Sequence, residues 1–120
     1  MSSIRLPQSG SPIAVRFVIL HHTEVEAEHF DLMVHLPGEK KLVTWRILTA
    51  PETWGGRAPV AERIADHRAD YLEYEGEISG GRGKVRRMAA GQAMLAFLPA
   101  QCVLRLGAGC EVALPLGRET

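Results

Sequence analysis

Polar and apolar residues alternate without a break over residues 29–36, and this pattern constrains the fold more than any other feature. In a β-strand, successive side chains point to opposite faces. The apolar residues then share one face, and the other face carries His29, Asp31, Met33 and His35. Burying these polar groups without partners would cost several kcal/mol. This face is therefore either the solvent side of an ordinary half-exposed strand or part of a functional site.

Apolar and β-branched runs separated by turn signals recur along the chain and predict about seven strands. The predicted strands are residues 14–20, 28–36, 41–48, 84–89, 92–98, 101–106 and 110–116. One short helix is expected within residues 61–74, as a helical turn that begins at His67 and is capped by Asp66. Short strands joined by tight turns favour an all-β fold with one short helix, arranged as a compact small β-barrel.

The length and composition restrict the classes to which the protein can belong. A chain of 120 residues predicts a single domain over residues 13–120, preceded by a flexible polar leader over residues 1–12. Equal numbers of basic and acidic residues, 14 of each, argue against a general electrostatic nucleic-acid binder. No apolar run has the length of a membrane span or a signal peptide, which predicts no membrane association and a cytoplasmic location. Cys102 and Cys110 lack metal-type spacing and are expected to be reduced.

Histidines cluster in one part of the chain. Four of the five lie within fifteen residues and flank Asp31, namely His21, His22, His29 and His35. A strand that ends at the first two histidines and an adjacent strand that begins at the third can bring one of the first two close to His29 and Asp31. Two imidazoles and one carboxylate suit Mn, Zn or Fe and leave positions open for water and substrate. The sequence therefore predicts a divalent metal site for metal-assisted hydrolysis.

Two further groups are candidates for chemistry. His67 and Tyr71 are four residues apart and would share one face of a helical turn, although aromatic residues that pack on the barrel would show the same spacing. Residues 80–87 combine glycines with basic side chains. Such a segment lets backbone N–H groups approach an anion, with Arg82 and Lys84 beside it, although a solvated hairpin turn has a similar composition.

Together these motifs resemble the 3′-phosphoesterase domain of bacterial DNA ligase D, and most closely the short stand-alone relatives of that domain. The resemblance spans roughly residues 15–90 and is carried by residues 17–22, 29–32, 44–46, 63–71, 74–76 and 80–83. It implies a compact β-barrel that uses manganese, with zinc as an alternative, to remove 3′-terminal ribonucleotides and phosphates from DNA ends. The implied partners are a nucleic-acid 3′ end or another phosphate ester, and DNA repair proteins.

The resemblance also assigns roles to individual residues. The positions that match the family's metal ligands are His22, His29 and Asp31. His67 matches a histidine that contacts the phosphate, and Tyr71 matches the tyrosine that follows it by four residues. The predicted catalytic residues are therefore His67 and Tyr71.

The basic residues of the family are less well matched. Met33, Thr49 and Pro59 stand where the ligase domains carry arginine, lysine and arginine. The basic residues left as candidates for phosphate binding are Arg46, Arg57, Arg82 and Lys84. We therefore expect weak activity, and on this interpretation Met33→Arg would increase it. The alternatives are a non-catalytic module that binds nucleic acid or protein on the same barrel, and an enzyme for a small phosphorylated molecule.

Overall fold

Eight strands form one antiparallel sheet in the computed structural model, which describes residues 3–55, 59–107 and 109–117. The strands are β1 (Ile13–Thr23), β2 (His29–His35), β3 (Lys41–Ile47), β4 (Ala61–Arg68), β5 (Gly76–Glu77), β6 (Lys84–Phe97), β7 (Gln101–Gly107) and β8 (Cys110–Pro115). Their hydrogen-bonded order is β4-β3-β2-β1-β6-β7-β8, and β5 pairs with the beginning of β6. The predicted all-β fold class is confirmed.

The sheet curls into a half-barrel, in which the end strands β4 and β8 contact each other. One side chain of β3 and one of β4 donate hydrogen bonds to backbone carbonyls at the end of β8 and just after it. Trp45 Nε1 donates to the Pro115 carbonyl at 2.7 Å, and Arg63 Nη1 donates to the Leu116 carbonyl at 2.6 Å. Across the described ranges, no backbone ladder joins β4 to β8, so these side-chain bonds close the structure.

Each strand near the centre of the sheet buries both of its faces, but in different ways. One face of β1, β2 and β3 belongs to the main core, which includes Phe17, Leu32 and Trp45. The opposite face carries a smaller apolar cluster, formed by Val18, Leu20, Met33, Leu42, Leu72 and Val85. Because alternation places His22, His29 and Asp31 on the same side as this smaller cluster, we call that side the site face.

The helix predicted within residues 61–74 is wrong. Ala61–Arg68 is strand β4, which pairs with β3, and only a 3₁₀ turn over Ala69–Leu72 follows it. Asp66 does not cap that turn, because its carboxylate accepts the backbone N–H of Ile4 at 2.7 Å. A second 3₁₀ turn covers Pro51–Thr53. Pairing with a neighbouring strand has overridden the local helical pattern.

The turn predicted between residues 89 and 92 is also wrong. β6 runs through this segment without interruption, because Ala90 and Gly91 pair with Val18 and Phe17 of β1. A register shift between Ile19 and Leu20 accommodates one additional residue of β6, which is a β-bulge.

The segment before β1 contains no strand within the described residues, yet part of it packs against the barrel. Leu6 is 6% exposed and belongs to the main core, and Ile4 packs against that core. The flexibility of residues 1–12 stays a prediction. The described part of the chain contains no helix with the length and apolarity that crossing a membrane requires.

Candidate metal centre

One hairpin supplies all three predicted metal ligands. His22 lies near the end of β1 and is the direct cross-strand neighbour of His29, the first residue of β2. Asp31 follows two residues later and therefore shares a face with His29. The connection between the strands turns at Glu24, which has a left-handed φ of 60°. Hairpin register alone therefore brings the three side chains together.

The three donor groups converge on a small volume. The Nδ1 atom of His22 lies 3.2 Å from the Nε2 atom of His29. The carboxylate of Asp31 lies 3.1 Å from His29 Nε2 through Oδ1 and 3.6 Å from His22 Nδ1 through Oδ2. One donor atom from each residue lies within 4.8 Å of the others. We call these three residues the His–His–Asp triad.

Backbone carbonyls determine which nitrogen of each ring carries the proton. His22 Nε2 lies 2.7 Å from the Arg82 carbonyl, and His29 Nδ1 lies 2.9 Å from the Ala27 carbonyl. A carbonyl can only accept a hydrogen bond, so both of these nitrogens are donors. In the neutral rings the remaining nitrogens carry lone pairs, and these are the two atoms that face each other beside Asp31.

This arrangement places acceptors opposite acceptors. Asp31 is 3% exposed, and its Oδ1 atom is buried without a hydrogen-bond partner in the described residues. A buried carboxylate oxygen without a donor is costly unless a cation satisfies it. The residues therefore fit a divalent metal ion, and the carbonyls that bind the outer ring nitrogens are the type of partner that orients metal-bound histidines.

Access to the triad is asymmetric. His29 is 5% exposed, whereas the side chain of His22 is 16% exposed. Three protein ligands leave further coordination positions for water or a substrate oxygen. Those positions would open on the side of His22.

The other two histidines of the cluster do not belong to the triad. His21 points to the opposite face, where its ring stacks on Phe30 with 4.4 Å between centroids. His35 lies four residues beyond Asp31, at the far end of β2, and its Nε2 atom bonds to the Glu39 carbonyl at 2.8 Å. The structure therefore selects His22 over His21, which sequence reasoning left open.

His67 and Tyr71 lie together, as their spacing suggested, although β4 and a 3₁₀ turn position them instead of a helix. Their rings meet edge to face with centroids 5.7 Å apart, and Tyr71 packs against the apolar cluster of the site face. His67 Nδ1 bonds to the Ala65 carbonyl at 2.8 Å. In the part of the chain that the structure describes, no hydrogen bond links either residue to the triad, so their catalytic roles stay predictions.

Among the predicted phosphate ligands, Arg46 is the best placed. It is exposed and is the direct cross-strand neighbour of Asp31, so both side chains project from the site face. Lys84 forms an exposed ion pair with Glu24 at 3.0 Å, and the hydrogen bond and charge of Glu24 raise the pKa of the lysine. Arg82 Nε donates to the Ser79 carbonyl at 2.8 Å within its own turn. Arg57 lies outside the described residues.

Met33 shares the site face with Asp31, as alternation predicted, but it is not a pocket residue. Its side chain is 1% exposed, in the apolar cluster with Leu20 and Leu72. An arginine at this position could not reach solvent without disrupting that cluster. The burial of Met33 therefore argues against the expectation that Met33→Arg would supply a phosphate ligand.

Sequence reasoning missed how the turn before β6 contributes to the site. Gly83 has a φ of +86°, and a Cβ atom there would meet the Thr23 carbonyl, the Val25 side chain and, at 3.1 Å, His22 Nε2. The glycine allows the turn to approach closely enough for the Arg82 carbonyl to bind His22. The run of glycines is the available signal, although the same composition also matches a phosphate loop or a solvated hairpin turn.

A cavity of about 730 Å³ elsewhere is lined by residues from the N-terminal segment, β4 and the end of β8, and it includes no member of the triad. The triad is therefore the candidate site, because a cavity without a cluster of reactive groups does not define an active site.

Comparisons with known proteins do not assign the chain to a family. Neither a scan against protein-family models nor a search of curated proteins finds a match.

Proposed function

We propose that this protein is a metal-dependent phosphoesterase that acts on the 3′ ends of nucleic acid or on a related phosphate ester, with Mn²⁺ as its metal. The observation that carries the proposal is the convergence of two lone-pair ring nitrogens and a buried carboxylate without a donor between them. A site with two imidazoles and one carboxylate suits Mn²⁺, with Zn²⁺ as the alternative.

The residues around the triad support handling of a phosphate. A bound Mn²⁺ would supply polarisation of a phosphoryl oxygen and a more acidic bound water. Arg46, exposed opposite Asp31, can donate two parallel hydrogen bonds to a phosphate next to the metal position. We assign His67 a phosphate contact or acid role and Tyr71 the role of orienting that histidine, because their rings touch.

The test uses two neighbouring histidines that differ in the face they occupy. Release of 3′-phosphate and 3′-ribonucleotide from DNA is measured with and without Mn²⁺ for the wild type, His22→Ala and His21→Ala. We expect metal-dependent release that His22→Ala abolishes and His21→Ala retains. Equal activity in the two variants, or release independent of metal, would contradict the proposal.

A second candidate function is a non-catalytic module that binds nucleic acid or protein on the same barrel. The burial of Met33 favours it, because the position that carries arginine in the ligase domains cannot contact a phosphate here. Metal binding that depends on His22, with no ester release from any of these substrates, would favour the module over the enzyme.

A further inference from the structure

β6 has an open edge between its two outer neighbours. One edge of this strand pairs with β1 along most of its length. The other edge pairs with β5 only through Lys84 and Val85, and with β7 only from Met94 onward. Residues 86–93 have no strand partner on that edge within the described chain, and residues 86–92 are exposed. We call residues 86–93 the open edge.

The backbone direction along the open edge follows from one hydrogen bond. The N–H of Arg87 donates to Glu75 Oε2 at 2.6 Å, so this group points away from β1. Backbone groups alternate in direction along a strand, and the bulge shifts this alternation by one residue after Arg87. The N–H and C=O groups that point outward beyond the bulge therefore belong to Ala90 and Gln92.

The side chains at the open edge are mostly small, with basic charge at one end. Residues 89–91 are two alanines and a glycine, which allow another backbone to approach closely. Arg86 and Arg87 lie at the end next to β5. The carboxylate of Glu75 accepts the one outward N–H there, so the outward groups without a partner in the described residues lie beyond it, at Ala90 and Gln92.

We propose that the open edge is a docking site for a short, extended peptide with acidic residues at one end, which adds to the sheet as a strand between β5 and β7. Strand addition of this kind takes its affinity from backbone hydrogen bonds and its specificity from side chains. The edge is about 26 Å long at about 3.3 Å per residue. The acidic end of the peptide would lie beside Arg86 and Arg87.

A second copy of this chain fits the edge less well. Antiparallel pairing of two β6 strands about Gly91 would run β6 of each copy into β7 of the other. β7 already occupies this edge of β6 from Met94 onward. A short segment avoids this collision.

Amide hydrogen exchange, measured by NMR, tests the edge itself. In the free protein we expect fast exchange at Ala90 and Gln92 and slow exchange at Gly91 and Ala93, whose amides bond to β1. Slow exchange at all four amides would show that the edge is covered and would overturn the proposal. If that protection appears only as the protein forms dimers at higher concentration, a second copy is the occupant and the proposal also fails.

Peptide binding tests the occupant. The probes are two synthetic mixtures of eight-residue peptides with random β-branched and polar residues, one ending in Glu-Asp and the other in Lys-Lys. We expect the acidic mixture to bind about fivefold more tightly, as two partly exposed ion pairs would allow, and to protect Ala90 and Gln92 from exchange. Absence of binding, or no preference for acidic ends, would contradict the proposal.

Two variants separate the backbone contribution from the charge contribution. Ala90→Pro removes an outward N–H without removing a bond to β1 and should abolish binding; Gln92→Pro serves the same purpose if the first variant does not fold. Arg86→Glu should remove the preference for acidic ends, whereas Arg68→Glu, an exposed arginine at the end of β4, should retain it. An equal effect of the two charge reversals would overturn the assignment of the acidic end to Arg86.

Discussion

At the scale of single residues, the site depends on which nitrogen of each imidazole carries a proton. The carbonyls of Ala27 and Arg82 hold the protons of His29 and His22 on the outer side of each ring. The inner nitrogens then face a buried carboxylate, and nothing in the described residues donates to its Oδ1 atom. A divalent cation, or a proton on one of the inner nitrogens, would satisfy these facing acceptors.

Asp31→Asn tests this interpretation through stability. The amide can donate to a ring nitrogen where the carboxylate could only accept, so without metal the variant should be as stable as the wild type or more stable. Mn²⁺ at about one hundred times its dissociation constant should stabilise the wild type by about 2.7 kcal/mol and the variant very little. Chemical denaturation with metal and with a chelator measures both effects. A variant that is markedly less stable without metal would contradict the interpretation that Asp31 Oδ1 lacks a donor.

Met33→Arg is expected to destabilise the protein instead of improving it. The substitution would bury a guanidinium among the apolar side chains of Leu20, Leu72 and their neighbours. We expect a loss of about 3 kcal/mol in the free energy of unfolding, the range of severe core substitutions. Met33→Leu, which nearly conserves volume, should cost less than about 1.5 kcal/mol. Similar unfolding midpoints for the two variants would show that the site is not packed as described.

At the scale of elements, the first hairpins and the last two strands follow from sequence, whereas β4 and the continuity of β6 do not. Alternation over residues 29–36 is a local signal, and it located β2 and both β2 ligands of the triad. The strand Ala61–Arg68 was missed because its spacing also matches a helix, and only pairing with β3 decides between them. Ala90 and Gly91 resemble a turn until their pairing with β1 is known. Long-range partners cannot be inferred from one short window of sequence.

The turn before β6 provides a matched pair of glycine variants. Gly83→Ala would combine an unfavourable φ with contacts to the Thr23 carbonyl and His22 Nε2, whereas Gly81→Ala has a similar φ of +68° and open space. Both should lose about 1 kcal/mol of stability from backbone strain. Only Gly83→Ala should also weaken Mn²⁺ binding, by about tenfold, because it displaces the carbonyl that orients His22. Titration calorimetry and denaturant unfolding measure the two effects, and equal metal affinities would contradict the role of the turn.

At the scale of the whole molecule, one buried ion pair connects the two ends of the chain to the barrel. Arg63 Nη2 lies 3.4 Å from Asp66 Oδ1 and also donates to the Ile4 carbonyl at 2.7 Å. The same guanidinium binds Leu116 and lies 5.8 Å from the centre of the Trp45 ring. Polar contacts between side chains and distant backbone therefore join parts of the sheet that no ladder connects in the described ranges.

Asp66→Ala should be strongly destabilising. The variant would leave the Arg63 charge buried without its carboxylate and would remove the acceptor of the Ile4 N–H. Breaking a buried pair in this way costs about 3 to 5 kcal/mol. Thermal unfolding measures the loss, and Asp70→Ala, at an exposed aspartate of the nearby 3₁₀ turn, is the control. Equal melting temperatures for the two variants would contradict the importance of the pair.

Burial of Cys102 should make the free energy of unfolding depend on pH in the alkaline range. Burial raises the pKa of its thiol from 9.0 to about 12. The unfolded chain loses this proton first, so stability should fall as the pH rises from about 9 towards 12, by up to about 1.4 kcal/mol per pH unit. Cys102→Ala should flatten that dependence in denaturant unfolding measured across this range. An unchanged slope would show that other groups cause the alkaline loss.

The triad and the carbonyl that orients His22 lie far apart in the sequence, so the ribosome synthesises them at different times. All three ligands lie within ten residues, between His22 and Asp31, whereas the carbonyl that orients His22 belongs to Arg82. A chain that emerges from the ribosome therefore exposes all three candidate ligands long before the second half of the barrel has been translated. When the later half folds, the Arg82 carbonyl accepts a hydrogen bond from His22 and so holds the proton of that ring on Nε2.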